Sequence, residues 1–229
     1  YLKNQELNNQ RLPMKNIFEL INNKIIDYGE VLKNNVSTLF NKKELYDINI
    51  VIPVRGRNEF SKPTYKSFKN AAEKFGLNVA YTMVEHSENP EHSKFCKKNE
   101  INYFWIKSTS GELFNKCLAQ NIGAIFSVNS KYILFHDIDC LVQSDFFVKL
   151  FENINIKKAR AIQNFRERRV LYISPELTKK VVNEEFEVDA LSIELPDVQP
   201  PYLFGAPGGS ITIERELFFD VGGYDPELF

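Results

Sequence analysis

The sequence predicts an α/β fold with a mixed, mainly parallel sheet flanked by helices. Three observations lead there. From residue 47 onward, apolar β-forming segments alternate with segments of helical spacing. Residues 132–135, Tyr-Ile-Leu-Phe, leave no polar face, as in a central strand covered on both sides. Asp137 and Asp139 follow that strand directly, at the edge where open α/β sheets place their ligands.

The totals narrow the function classes. At 229 residues the chain can bury one full core plus an appendage. Its 29 Lys and Arg balance 30 Asp and Glu, which argues against a nucleic-acid partner or membrane surface held by bulk charge. No apolar run reaches the roughly 18 residues of a spanning helix, and no signal peptide is visible. The chain opens on Tyr1, compatible with a missing upstream segment. Cys96, Cys117 and Cys140 are odd in number and lack C-x-x-C spacing, which fits reduced thiols in a cytosolic setting. His86, His92 and His136 form no metal-binding spacing with them and read as structural, His136 being a neighbour of the acidic pair. Asn35-Val-Ser37 matches a glycosylation sequon of the kind that arises by chance in an Asn-rich chain.

Residues 1–46 are Asn- and Lys-rich, with Ile17, Ile21, Ile25, Tyr28 and Leu32 at helical spacing. They predict a helical extension of one or two amphipathic helices. Residues 47–53 form the first strand, ended by Pro53, which cannot donate to a ladder. Arg55 and Arg57 follow at the ligand edge, where guanidinium forks suit phosphate or a uracil carbonyl, and Gly56 permits close backbone approach. Tyr65, Phe68, Ala72 and Phe75 predict a helix over 62–75, stopped by Gly76.

Strands are expected at 77–85 and 101–106, separated by a polar, irregular stretch over 86–100. Ser110-Gly-Glu112 should open a helix from 113 to about 126. After the central strand, period-two geometry points Asp137 and Asp139 the same way, and two like charges that close call for a cation; the alternative is an Asp-rich turn after the strand. Hard divalent ions that also hold a diphosphate use such a pair, completing their shell with phosphate oxygens and water.

Ser144 is the expected cap of a helix over 145–153. A strand over 159–165, a solvated basic turn at 166–169 and a helix begun by Pro175 come next. Residues 184–203, with Pro196, Pro200 and Pro201, read as a long functional loop or flap. A glycine turn over 204–210 leads into a strand at 210–213 and a helix from 214 to about 221. The chain then turns through Gly222-Gly-Tyr-Asp225.

Each motif alone is weak, but four stand in one order: Pro53-Val-Arg-Gly-Arg57, the segment 114–123 beginning Phe-Asn-Lys, Asp137-Ile-Asp139, and the two glycine turns. As a set, from about residue 47 to the end, they resemble the GT-A glycosyltransferases. The nearest likeness is to the β-1,4-galactosyltransferase and chondroitin-polymerase type of N-acetylgalactosaminyltransferase. That resemblance implies a GT-A domain over 47–229, continuing past Phe229, with residues 1–46 outside it.

It also implies donor contacts at Pro53, Arg55, Arg57, Phe114, Lys116, Asp137, Gly208 and Gly209, and a metal ligand at Asp139 for Mn²⁺ or Mg²⁺. Phe114 would lie on uracil, the basic side chains on the diphosphate, Asp137 near the ribose or a metal-bound water, and the glycines near the donor sugar. Val54 replaces a frequent Phe of the family, and Lys116 replaces an Arg, which removes a bidentate fork. The acidic general base and a metal-binding His of the family would lie beyond Phe229.

The implied function is inverting transfer of a hexose or N-acetylhexosamine from a UDP-sugar to a glycan acceptor. The expected setting is cytoplasmic, with a peripheral position at the inner face of the membrane and further domains of the same polypeptide left open. The Asn/Lys-rich composition suggests a bacterial surface polysaccharide. The alternative is a non-catalytic nucleotide-sugar-binding or interaction domain of the same shape. A dehalogenase-type phosphatase needs Thr or Ser where this chain has Leu141, and a nucleotidyltransferase needs a longer basic loop after the first strand.

Overall fold

A computed structural model describes residues 45–164, 172–185, 198–199 and 209–226. The expected N-terminal helices, the basic turn at 166–169, Gly208 and the greater part of the 184–203 loop lie outside the described residues. In chain order the elements are β1 (Tyr46–Val54), a single 3-10 turn (Asn58–Phe60), α1 (Ser61–Phe75), β2 (Val79–Ser87), α2 (Ser93–Lys98) and β3 (Asn102–Lys107). Next come α3 (Lys116–Phe126), β4 (Ser130–His136), α4 (Phe146–Lys157), β5 (Ala161–Gln163) and β6 (Tyr172–Ile173). The last are α5 (Pro175–Val182), β7 (Val198–Gln199), β8 (Ser210–Glu214) and α6 (Arg215–Asp220).

Six strands form one sheet in the order β3-β2-β1-β4-β8-β5. β3, β2, β1 and β4 run parallel, while β8 is antiparallel to both β4 and β5. The sheet is therefore mixed and mainly parallel, as the alternating pattern predicts. β6 and β7 make a separate antiparallel pair.

Strand periodicity explains why the sheet is covered on both faces. Ile48, Ile50, Ile52 and Val54 of β1 face one core with Phe68 and Ala71 of α1 and Phe147 and Leu150 of α4. Val51 faces the other core, with Ala119 and Ile122 of α3 and Phe218 and Phe219 of α6. β4 is likewise split, Leu134 on the first face and Ile133 and Phe135 on the second, all essentially inaccessible to water. The central-strand reading of 132–135 stands.

Several boundaries differ from expectation. β1 continues through Pro53 to Val54, because pairing with β4 ends at Val51↔Phe135 and only the β2 side of the ladder remains beyond it. The stretch 86–100 is not irregular throughout: it contains α2, whose N–H groups start on the carbonyl of His92. α3 starts at Lys116, not 113, since Asn115 is its cap and accepts from the Leu118 N–H at 2.8 Å. The cap expected at Ser144 falls instead on Asp145, and Ser144 Oγ accepts from Lys74 Nζ.

Candidate functional site

The C-terminal ends of β1, β2 and β4 meet the start of β8 and the cap of α3 at one edge of the sheet. The acidic pair sits there, but not as an extension of a strand. β4 ends at His136, and residues 137–140 form a turn closed by the Cys140 N–H on the Asp137 carbonyl at 3.2 Å. Period-two geometry therefore does not set the two side chains. The turn is fixed from below by Ile138, which is buried and whose carbonyl accepts from Thr64 Oγ1 of α1.

Each carboxylate meets a different cation. Arg57, from the loop after β1, donates to Asp139. Lys116, at the start of α3, brings Nζ to 2.5 Å from Asp137 Oδ1. Burial raises the Asp137 carboxyl above the usual carboxylate range, and the Lys116 bond opposes that rise. Four sequence-predicted residues from three separate segments are thus brought together.

Others stand close by without joining them. Arg55 donates to the Glu112 carbonyl in the loop before α3. Phe114 packs its ring 6.2 Å from that of His86 at the end of β2. Burial depresses the His86 pKa, and its Nε2 lies 3.4 Å from Glu112 Oε1 while Nδ1 accepts from the Asn115 N–H. Pro53 is buried in β1 and presents no side-chain polar group. Gly209 offers its carbonyl to the Asp137 N–H at 2.9 Å, which ties the end of the glycine turn to the acidic turn. His136 is buried, with Nδ1 2.8 Å from Ser210 Oγ and Nε2 3.0 Å from the Cys140 carbonyl. Burial lowers its pKa to about 4, so at neutral pH it is an uncharged brace under the turn.

The donor set suits a hard divalent cation. Asp137 and Asp139 offer carboxylate oxygens, and burial pushes the neighbouring Cys140 thiol up to about 12, so no thiolate competes. Among the described residues no group of three His, Cys, Asp or Glu side chains is gathered for a metal. Two protein carboxylates with the balance of the shell from a phosphate-bearing ligand and water is the arrangement such ions accept.

Two contacts escaped sequence reasoning. Asn121, fully buried in α3, accepts from the Tyr224 N–H at 3.0 Å and donates to the Tyr224 carbonyl at 2.8 Å. With Asn115, which donates to the Pro226 carbonyl at 2.7 Å, it fastens the second glycine turn to the site. A buried Asn whose partner lies 103 residues further along the chain carries no local signal of that kind. The second is His92, which contacts the Gly56 carbonyl of the arginine loop.

Residues 49–229 match the family model described as glycosyltransferase like family 2. No curated protein matches the chain significantly. Among solved structures, the Staphylococcus aureus TarS fragment is 12% identical, with 78% of this chain and 50% of that chain covered at a TM-score of 0.48. The mannosyltransferase PcManGT from Pyrobaculum calidifontis, solved with GDP-Man and Mn²⁺, is 11% identical, with 94% and 55% covered at 0.49. Drosophila β-1,4-galactosyltransferase 7, solved with manganese, UDP-Gal and xylobiose, is 13% identical, with 76% and 50% covered at 0.44. The chain spans about half the length of these proteins. Among the described residues no helix is long and apolar enough to cross a membrane.

Proposed function

This chain belongs to the glycosyltransferase like family 2, and from that premise we propose that it is the donor-binding part of a metal-dependent inverting transferase. The donor is a UDP-sugar carrying a hexose or N-acetylhexosamine, the acceptor is a glycan, and the subgroup is the β-1,4-galactosyltransferase and chondroitin-polymerase type. One observation carries the reading. Asp137 and Asp139 are each engaged by a cation from a different segment, Lys116 and Arg57, at the ligand edge of the sheet. Two anions and two cations interleaved in this way can separate to receive a metal on one side and a diphosphate on the other.

Asp139 would hold Mn²⁺ or Mg²⁺, with Asp137 near the ribose or a metal-bound water. The bound cation would supply charge neutralisation for the departing diphosphate. Arg57 and Lys116 act on the same charge, and Arg55 lies within the same loop to bind it. Phe114 offers a flat apolar surface to the base. Gly208 and Gly209 approach the donor sugar. The base that takes the acceptor proton is proposed to lie past Phe229. The Asn/Lys-rich composition fits a bacterial gene, and the proposed context is bacterial surface polysaccharide synthesis in a cytoplasmic or peripheral membrane setting.

Turnover tests the reading. A chain extended past Phe229, given a panel of UDP-sugars and glycan acceptors with Mn²⁺ or Mg²⁺, should release UDP in an acceptor-dependent manner. UDP binding without acceptor-dependent release across the panel would favour a binding module instead.

A further inference from the structure

Building on the donor-site reading, we propose that His92 is a positioning residue for the nucleotide-binding loop, setting the backbone from which Arg57 reaches the diphosphate. The loop has an unusual conformation to maintain. Gly56 and Arg57 both lie in the left-handed region, at φ values of 61° and 59°. Arginine has no preference for that region, so something outside the loop must hold it.

His92 supplies the hold. It is 1% exposed, and both ring nitrogens are used: Nε2 lies 2.9 Å from the Gly56 carbonyl oxygen and Nδ1 lies 2.8 Å from Ser61 Oγ. A carbonyl only accepts, so Nε2 donates. The Gly56 carbonyl belongs to the peptide unit joining the two left-handed residues, and its orientation decides where the Arg57 side chain departs. The histidine is itself anchored. Its N–H donates to Glu85 Oε2 at 3.0 Å, and Glu85 is a fully buried residue of β2 paired with Val54. The Glu85 carboxylate also accepts from the Glu91 N–H, Ser87 Oγ and Tyr103 Oη, so the buried charge is well supplied with donors. A second tie, Asn58 Nδ2 to Glu91 Oε2 at 2.9 Å, joins the same two loops. A rigid strand end thus reaches the arginine loop through one imidazole.

Calorimetric titration of UDP with Mn²⁺ separates this role from general stabilisation. His92→Asn, whose amide cannot reach Gly56, should weaken UDP binding about tenfold or more. His92→Gln places an amide N–H where Nε2 was and should restore affinity to within about threefold. In an Arg57→Ala background, His92→Asn should have no further effect, because it acts through Arg57. His92→Asn binding UDP like the wild type, while Arg57→Ala loses affinity, would overturn the positioning role and leave the donor site intact. Full additivity of the two substitutions would overturn it as well. A wild-type chain that fails to bind UDP would overturn the donor-site reading and this inference with it.

Discussion

Arg57 donates to the carboxylate of Asp139 across 82 residues of sequence, and Lys116 does the same for Asp137. The cations proposed to bind the diphosphate are therefore the partners of the proposed metal ligand, Asp139, and of the acid beside it, Asp137. A metal arriving alone must displace an arginine, whereas a metal–diphosphate pair exchanges one set of opposite charges for another. The two ligands should consequently assist each other's binding.

The Arg57→Ala variant should split the two affinities. Arg57 and Asp139 are 57% and 37% exposed, so their pairing is screened and of order 0–1 kcal/mol. Freeing Asp139 should leave Mn²⁺ affinity equal or raise it by up to about fivefold, while UDP affinity falls by about tenfold or more. Manganese binding followed by electron paramagnetic resonance and UDP binding followed by calorimetry would check this. A parallel fall in both affinities would contradict the exchange.

His136 should make stability depend on pH. Its folded pKa is about 4, held down by burial, against an ordinary value of 6.5. The unfolded chain takes up the proton first, so stability is complete above about 6.5 and declines as the pH falls toward 4. Between pH 7 and pH 5 the loss from this group is about 2 kcal/mol. Urea midpoints of the wild type and of His136→Asn should converge with acidification, and a constant gap between them would refute the assignment.

At Gly123 the backbone of α3 lies close against the sheet. A Cβ there would lie 2.3 Å from Val51 Cγ1 and 3.1 Å from Val84 Cγ2. Both are buried, branched side chains with little room to rotate. Gly123→Ala should cost about 1–3 kcal/mol of stability by overpacking. An unchanged denaturation midpoint would show that the helix can shift outward freely.

Much of the sheet was legible because its signals are local. Ile48, Ile50 and Ile52 alternate with Asn49 and Val51, and a covered strand needs little more than that. Helix ends were less so. Asn115 rather than Ser110 caps α3, since a cap is decided by which side chain meets the Leu118 N–H. At the site, order along the chain picked out Arg57, Lys116, Asp137 and Asp139, which do converge. Between a strand extension and an Asp-rich turn at 137–140 the sequence left the choice open, because a strand pattern does not record where the strand stops. The roles of His92 and Asn121 were invisible, for the partners Gly56 and Tyr224 lie 36 and 103 residues away. Gly56 illustrates the same limit: a Cβ there meets open space, and glycine is favoured by the φ of 61°.

Calorimetric titration of UDP, with and without Mn²⁺, on this chain and on Asp139→Ala addresses the donor site most directly. The account predicts binding that strengthens with Mn²⁺ in the wild type and loses that dependence, with at least about a hundredfold weaker affinity, in the variant. Equal UDP affinity in both proteins, indifferent to Mn²⁺, would contradict a metal–diphosphate site at Asp139.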